Sequence, residues 1–354
     1  VTDALVVRSD DCLRHVPGAE IWVGVAIPGT ELPERATRIE AELVAAGHRV
    51  VDAAPHDDDV LLRVHDPALV EHLRTVHDRW VAAGFPDVPG QDRVVPYVMP
   101  TAGMLDGLPE REPTAVHAAA GRWCYDTMTL VGPGTWEAAR AAVDVTLTAV
   151  DAVVAGTPLA YALVRPPGHH VTRSAYGGSC YLNNAGIAAQ ALRDAGHDVV
   201  AVVDIDAHHG NGTQMLFYDR ADVAYASLHV DPGAGWFPHY VGFADETGRG
   251  PGLGANLNLP LPEGTPDGPW LDAVDRIAEW VERAGASALV VSLGVDAAAD
   301  DPESPLQVTR EGYRAAGLRL AGLGLPTVAV QEGGYHLDTL GPLVAATLDG
   351  LARP

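Results

Sequence analysis

Five short runs of the chain are almost wholly apolar and mostly rich in β-branched side chains: "LAYALV" (159–164), "VVAVVDID" (199–206), "VAYASLHV" (223–230), "ALVVSLGVD" (288–296) and "PTVAVQEGG" (326–334). A strand with one wet face alternates apolar and polar residues. A run without that alternation needs protein on both faces, the setting of a parallel sheet covered by helices. Amphipathic stretches over 135–156, 183–196, 269–285 and 309–324 lie between the runs. The alternation predicts one α/β domain over 1–354, with a central, mostly parallel sheet flanked by helices. Thr135 is the predicted N-cap of the first helix, with Glu137 in its first turn. Residues 84–115 break the pattern: they are rich in Pro and Gly, have no period, and read as a long loop or insertion.

The length of 354 residues fits either one large α/β domain or two ordinary ones, so the alternation decides. No apolar stretch approaches the roughly 20 residues that span a bilayer, and the first residues lack the basic and apolar regions of a signal peptide. The expectation is a soluble cytoplasmic protein. A net charge of −24 argues against attraction to nucleic acid or anionic lipid. It suits a cationic substrate and equally a merely soluble surface. Cys12, Cys124 and Cys180 are too few and too scattered for a disulfide framework or a cysteine zinc site.

In open α/β sheets ligands bind beyond the carboxyl ends of the strands. Polar groups gather there: "RPPGHH" after 159–164, "DAHHGNG" after 199–206, Asp296 closing 288–296, and "EGGY" after 326–330. In "VVDIDAHHG", alternate residues of an extended segment share a face, so Asp204, Asp206 and His208 point one way if extension persists. Carboxylates that close raise each other's pKa unless a cation joins them. Asp and neutral His are good ligands for Zn²⁺ and related ions, and Asp296 is the best supplier of a third ligand. The competing reading makes Asp204 and Asp206 caps of the following segment and the histidines ordinary loop residues. His169 and His170 sit on a turn stiffened by two prolines, and imidazoles exchange protons near neutral pH. Activation of a water, ligation of a second metal, and plain surface placement all remain open for this pair. In "QEGGYHLD", Gly333 and Gly334 let the backbone turn so that the Tyr335 phenol can donate to a developing oxyanion. A turn followed by a packed aromatic is the plainer alternative.

As an ordered set, "RPPGHH", "GGSCYLNNAGIAA", "DIDAHHGNGTQ", "YASLHVDP", "SLGVDAAADDP" and "EGGY" resemble the histone deacetylase superfamily. The resemblance runs from about residue 130 to the C-terminus, with a weaker match at 32–39. "GTWEAARAA", "HHGNGTQ" and "GFADETGRGPGLGANLNLPLP" look most like the bacterial acetylpolyamine amidohydrolases of that superfamily. It implies an arginase-like α/β fold and one Zn²⁺ held by Asp206, His208 and Asp296. It implies a tandem acid/base pair, His169 backed by Asp204 and His170 backed by Asn211, with Tyr335 polarising the carbonyl. A structural K⁺ would lie against Asp204, Asp206, His208, Ser227 and Leu228. Gly178, Ser179, Trp236, Phe237 and Gly333 would meet substrate. Ser179 stands where the family commonly has an aromatic wall, which implies a wider tunnel.

The expected reaction is hydrolysis of a small N-acetylated amine, such as an acetylpolyamine, to acetate and free amine. The similar enzymes dimerise through a long loop in the N-terminal half. Residues 84–115 are the candidate counterpart, and Glu110, Glu112, Glu31 or Glu34 are candidates to meet a cationic tail, with solvated loop charges as the plainer reading of any single one. A deacylase of acetyl-lysine proteins or of an acylated secondary metabolite is the second reading. A catalytically silent binding protein of the same fold is the third.

Overall fold

The computed structural model describes residues 4–109 and 111–352. Ten strands occur among them: β1 (Leu5–Arg8), β2 (Ala19–Trp22), β3 (Val25–Pro28), β4 (Arg49–Asp52), β5 (Leu159–Ala162), β6 (Val200–Asp204), β7 (Val223–Val230), β8 (Asn256–Leu261), β9 (Ala288–Leu293) and β10 (Thr327–Gln331). Eight form one sheet in the order β4-β1-β5-β10-β9-β6-β7-β8, and every neighbouring pair in it is parallel. β2 and β3 form a separate antiparallel hairpin.

The apolar runs are strands because both of their faces are covered. β5, β6, β7, β9 and β10 are buried at every residue. One face packs Val203, Leu228, Leu289 and Val291 against Trp270, Ile277 and Leu348; the other packs Val202, Val290 and Val328 against Val145, Ala188 and Leu192. The covering helices include Thr135–Val154, Asn184–Asp194, Asp267–Ala284, Arg310–Ala321 and Leu340–Leu351. None of the helices among the described residues is long and apolar enough to cross a membrane.

Several expectations are corrected. The strands stop short of the polar groups: β6 ends at Asp204 and β9 at Leu293. Asp206, His208 and Asp296 therefore sit on the turns that follow. Thr135 is not the N-cap; Gly134 is, in a left-handed conformation, and Thr135 begins the helix. The Thr135 hydroxyl instead accepts from the Gly132 amide at 2.9 Å and meets His15 Nδ1 at 2.9 Å. The 84–115 segment is mainly irregular, yet it holds short helical turns at Phe85–Asp87 and Ala102–Leu105 and a bridge from Val94 to Val131.

The central strands β5, β10, β9 and β6 are consecutive across the sheet. Their carboxyl ends carry the tandem histidines, the "EGGY" loop, Asp296 and the "DIDAHHG" turn. Parallel order alone thus brings segments from four parts of the chain to one edge.

Trp270 anchors the helix Asp267–Ala284 with no exposed surface and stands edge-on to Tyr313 at 5.4 Å. Its indole N–H finds no hydrogen-bond partner among the described residues. Trp270→Ala should therefore cost about 3–5 kcal/mol in urea unfolding, as a large core truncation does. Trp270→Phe should cost under about 2 kcal/mol, because it also removes an unsatisfied donor.

Candidate active site

Asp206, His208 and Asp296 bring ligand atoms within 4.8 Å of one another. His208 Nδ1 lies 3.4 Å from Asp206 Oδ1 and 3.1 Å from Asp296 Oδ2. The two carboxylates are buried, whereas the imidazole reaches the pocket floor. Burial and the neighbouring Asp206 charge push Asp296 up to about 7. Burial opposes charge on Asp206 and His208 too, but their neighbours win: His169 and then His208 hold Asp206 below the ordinary carboxylate range, and Asp206 with Asp296 raises His208 well above that of an imidazole. The backbone is cut to fit this crowd. A Cβ on Gly294 would overlap Asp206 Oδ2, and one on Gly333 would overlap Asp296 Oδ2. Gly333 N donates to Asp206 Oδ2 at 2.8 Å, which sets this glycine against the carboxylates. Two hard oxygen donors and one imidazole in a close-packed cradle fit a divalent ion such as zinc.

The paired histidines stand beside this cluster, ring centroids 4.0 Å apart. His169 Nδ1 meets Asp204 Oδ2 at 3.0 Å, and the same oxygen accepts from Tyr225 at 3.1 Å. His170 Nδ1 meets Asn211 Oδ1 at 2.8 Å. Burial works against charge on His169, but Asp206, Asp204 and Glu332 outweigh it and raise the ring to about 10. Burial holds His170 well below the ordinary imidazole range, helped by the charges of His169 and His208. The surroundings thus favour the charged form of His169 and the neutral form of His170, whose Nδ1 is taken by Asn211.

The pocket above them has a volume of about 370 Å³. Its floor is His170, His208 and Tyr335. Phe237 stands edge-on to His170 at 4.7 Å, and Trp236 follows it along the wall. Gly178 takes φ 59° between His170 and Phe237, where a Cβ would overlap His170 Cδ2. Ser179 sits on the wall beside it, its amide bonded to Thr129 Oγ1 at 2.8 Å. Burial raises the Tyr335 phenol well above its usual range, so it remains a donor.

Tyr335 is held from behind. Its amide donates to Asp301 Oδ2 at 2.7 Å. The Arg35 guanidinium lies 4.7 Å over its ring and donates to the Gly334 carbonyl at 2.6 Å. Arg35 in turn meets Glu31 Oε1 at 2.7 Å, and Arg165 meets Glu31 Oε2 at 3.0 Å. Glu31 is therefore committed to two arginines inside the protein and does not face a substrate tail. Glu34 and Glu112 are exposed, and Glu110 lies outside the described residues. The acids that line the pocket are Glu20, on β2, and Glu303, two residues past Asp301. Sequence reasoning missed both, together with Tyr125, which donates to the His170 carbonyl at 2.9 Å. "DDPES", just beyond Asp296, was the available signal for Glu303.

Fold and site together define a hydrolase of the deacetylase type. The sequence profile of the histone deacetylase domain matches residues 30–351, and the chain belongs to that family. It is 40% identical over 348 residues to the acetylpolyamine amidohydrolase of Mycoplana ramosa, covering 98% of this chain and 99% of that one. The crystal structure of an acetylpolyamine aminohydrolase from Burkholderia pseudomallei is similar at a TM-score of 0.92 and 39% identity, covering 99% of this chain and 100% of that one. The HD domain of HDA15 is similar at a TM-score of 0.78 and 27% identity, covering 99% and 90%.

Removing Glu31 leaves two buried guanidinium groups without their counter-ion. Glu31→Ala should destabilise the protein by about 3–5 kcal/mol in urea unfolding. A loss under about 1 kcal/mol would show that the arginines do not depend on it.

Proposed function

We propose that the protein is a zinc-dependent amidohydrolase that removes the acetyl group from small N-acetylated amines of the acetylpolyamine type. The observation that carries this reading is the composition of one pocket: metal-ligand and acid/base side chains on the floor, aromatics on one wall, and Glu20 and Glu303 lining it. The names of the relatives point the same way.

When bound by Asp206, His208 and Asp296, zinc supplies Lewis acidity and a lowered pKa for water at the pocket floor. The protein's own groups do the rest. Neutral His170, its Nδ1–H directed to Asn211, accepts the water proton at Nε2 as the water oxygen bonds to the acyl carbon. Tyr335 donates to the carbonyl oxygen as charge develops there. The His169 imidazolium, fixed by Asp204, stabilises the same negative charge without giving up its proton. His170 then passes its proton to the amide nitrogen, the C–N bond breaks, and acetate and a free amine remain. Potassium against Asp204, Asp206, His208, Ser227 and Leu228 is part of the proposal. It is supported by the register that sets Ser227 beside Asp204 and by the burial of both.

Glu20 is pushed up to about 7 by burial and by the charge of Glu303. A proton on one acid leaves the pair poised for a cation, which suits an ammonium group along the amine chain. Ser179 in place of a bulky wall leaves room for a substituted amine beside Phe237. A homodimer completes the proposal. It is supported by exposed apolar side chains on the β2–β3 hairpin (Trp22, Val23, Val25) and on the 84–115 segment (Tyr97, Met104, Leu108).

Because an acetylated diamine already carries a free amine, turnover is read as released acetate. Asp296→Ala should reduce bound zinc from one per chain to about a tenth or less by elemental analysis. Tyr335→Phe should keep the zinc and lose about two to three orders of magnitude in kcat, as removal of an oxyanion donor does. Full zinc in the first variant, or unchanged turnover in the second, contradicts the assignment. The Glu20 carboxyl is neutral below about 7 and charged above it. KM for an acetylated diamine should therefore fall several-fold between pH 6 and 8, while KM for a neutral N-alkylacetamide stays flat. Glu20→Gln should abolish that difference.

A further inference from the structure

The turn that carries the tandem histidines has few handles of its own. Pro166 and Pro167 offer no N–H, and a Cβ on Gly168 would overlap the Leu182 carbonyl oxygen. Its buried amides still need acceptors. Two of them, Gly168 N and His169 N, donate to one atom, Oε2 of Glu332, at 2.7 and 3.1 Å. The other oxygen, Oε1, accepts from Ser292 Oγ on β9 at 2.9 Å. Glu332 has no exposed surface. Its backbone is held as tightly: its amide donates to the Leu293 carbonyl at 2.9 Å, and its own carbonyl accepts from Arg35 at 2.5 Å.

Glu332 also opens the loop that presents the phenol, three residues before Tyr335. Its carboxylate thus grips the acid/base pair while its peptide starts the segment carrying the oxyanion donor. The two halves of the site follow β5 and β10, which are neighbours in the sheet. A carboxylate is an expensive group to bury, and amide donors to a carboxylate form the shorter, stiffer class of hydrogen bond.

From this geometry we infer that Glu332 is a positioning residue for the hydrolysis: it acts as a strut that fixes the His169–His170 turn relative to Tyr335. It touches neither substrate nor reacting atoms. Its effect is on how well the groups are aligned once substrate is bound, so it belongs to kcat and not to KM. The inference rests on the hydrolase reading above.

The test compares Glu332→Ala and Glu332→Gln in the zinc-loaded, full-length protein. The alanine variant removes the acceptor; the glutamine variant keeps an oxygen for both amides. Glu332→Ala should lower kcat by about two orders of magnitude, the cost of misplacing a reacting group by about 1 Å. KM should stay within about twofold and zinc at one per chain. Glu332→Gln should recover kcat to within about fivefold of the parent. Hydrogen exchange at the Gly168 and His169 amides, read by NMR, should speed up at least tenfold in the alanine variant and stay protected in the glutamine one. An alanine variant with kcat within threefold of the parent overturns the inference, as does one whose two amides remain protected. A glutamine variant as slow as the alanine one also overturns it, since charge and not the hydrogen bonds would then be at work. If the alanine variant does not fold, Ser292→Ala removes the support of Oε1 alone. It should lower kcat about three- to tenfold at unchanged KM, and an unchanged kcat overturns the strut. The exchange measurement separates the two readings: a parent protein that cleaves no acetylated amine ends the functional proposal, while the amide protection still decides the strut.

Discussion

Four carboxylates, Asp204, Asp206, Asp296 and Glu332, lie at the carboxyl edge of one sheet with at most 1% of their surface exposed. Burying even one charge costs several kcal/mol unless it is paired and hydrogen-bonded. Each of these has a distinct remedy. Asp204 takes His169 and the Tyr225 hydroxyl. Asp206 and Asp296 share His208, and each also accepts a backbone amide, from Gly333 and Ala207 respectively. Glu332 takes two amides and the Ser292 hydroxyl. Glycines 294 and 333 are required where they stand because the carboxylates fill the space that a side chain would occupy. The local backbone therefore follows from the charge arrangement.

The same logic separates two chemically identical residues. His169 and His170 are adjacent in sequence and their rings are 4.0 Å apart, yet their surroundings favour charge on the first and oppose it on the second. The difference lies in the charges around each ring: Asp206, Asp204 and Glu332 surround His169, whereas buried His170 faces the rings of His169 and His208 and has only an amide oxygen at Nδ1. Two imidazolium ions this close would repel strongly, so charging the first helps to keep the second neutral. A pair of titratable groups whose surroundings drive their pKa values apart is how one site holds both a base and a fixed positive charge at neutral pH.

What could be read from the sequence follows a physical boundary. β5, β6, β7, β9 and β10 were legible because burial on both faces forces an unbroken apolar run. β1 and β4 were not: four residues each, "LVVR" and "RVVD", carry too little signal and gain their place only by pairing with β5 and with each other. β8, "NLNLPL", hides because Asn256 and Asn258 are buried through bonds to Gln214, a partner that only the tertiary fold supplies. The cluster of Asp206, His208 and Asp296, and its closeness to the tandem histidines and Tyr335, could be anticipated from spacing within short motifs and from the family resemblance. Glu20, Arg35, Glu303 and Glu332 were not singled out, since their meaning depends on contacts across the chain. Glu31 was misread for the same reason: its charge suggested a substrate, and its neighbours Arg35 and Arg165 lie inside the protein.

The pocket's charge and its chemistry are linked through Asp301. One of its oxygens accepts from the Tyr335 and His336 amides, the other from the Glu303 amide. The loop that aims the phenol and the acid that lines the pocket are thus fixed by a single buried carboxyl group. On the proposed function, an amine chain drawn toward Glu303 and Glu20 would lie in the same pocket as Tyr335. The surrounding net charge of −24 favours the approach of cations from solution. On the proposed reading, amides with a positive charge beyond the scissile bond gain in encounter and in orientation together, because the same acids that attract the charge line the pocket beside the phenol.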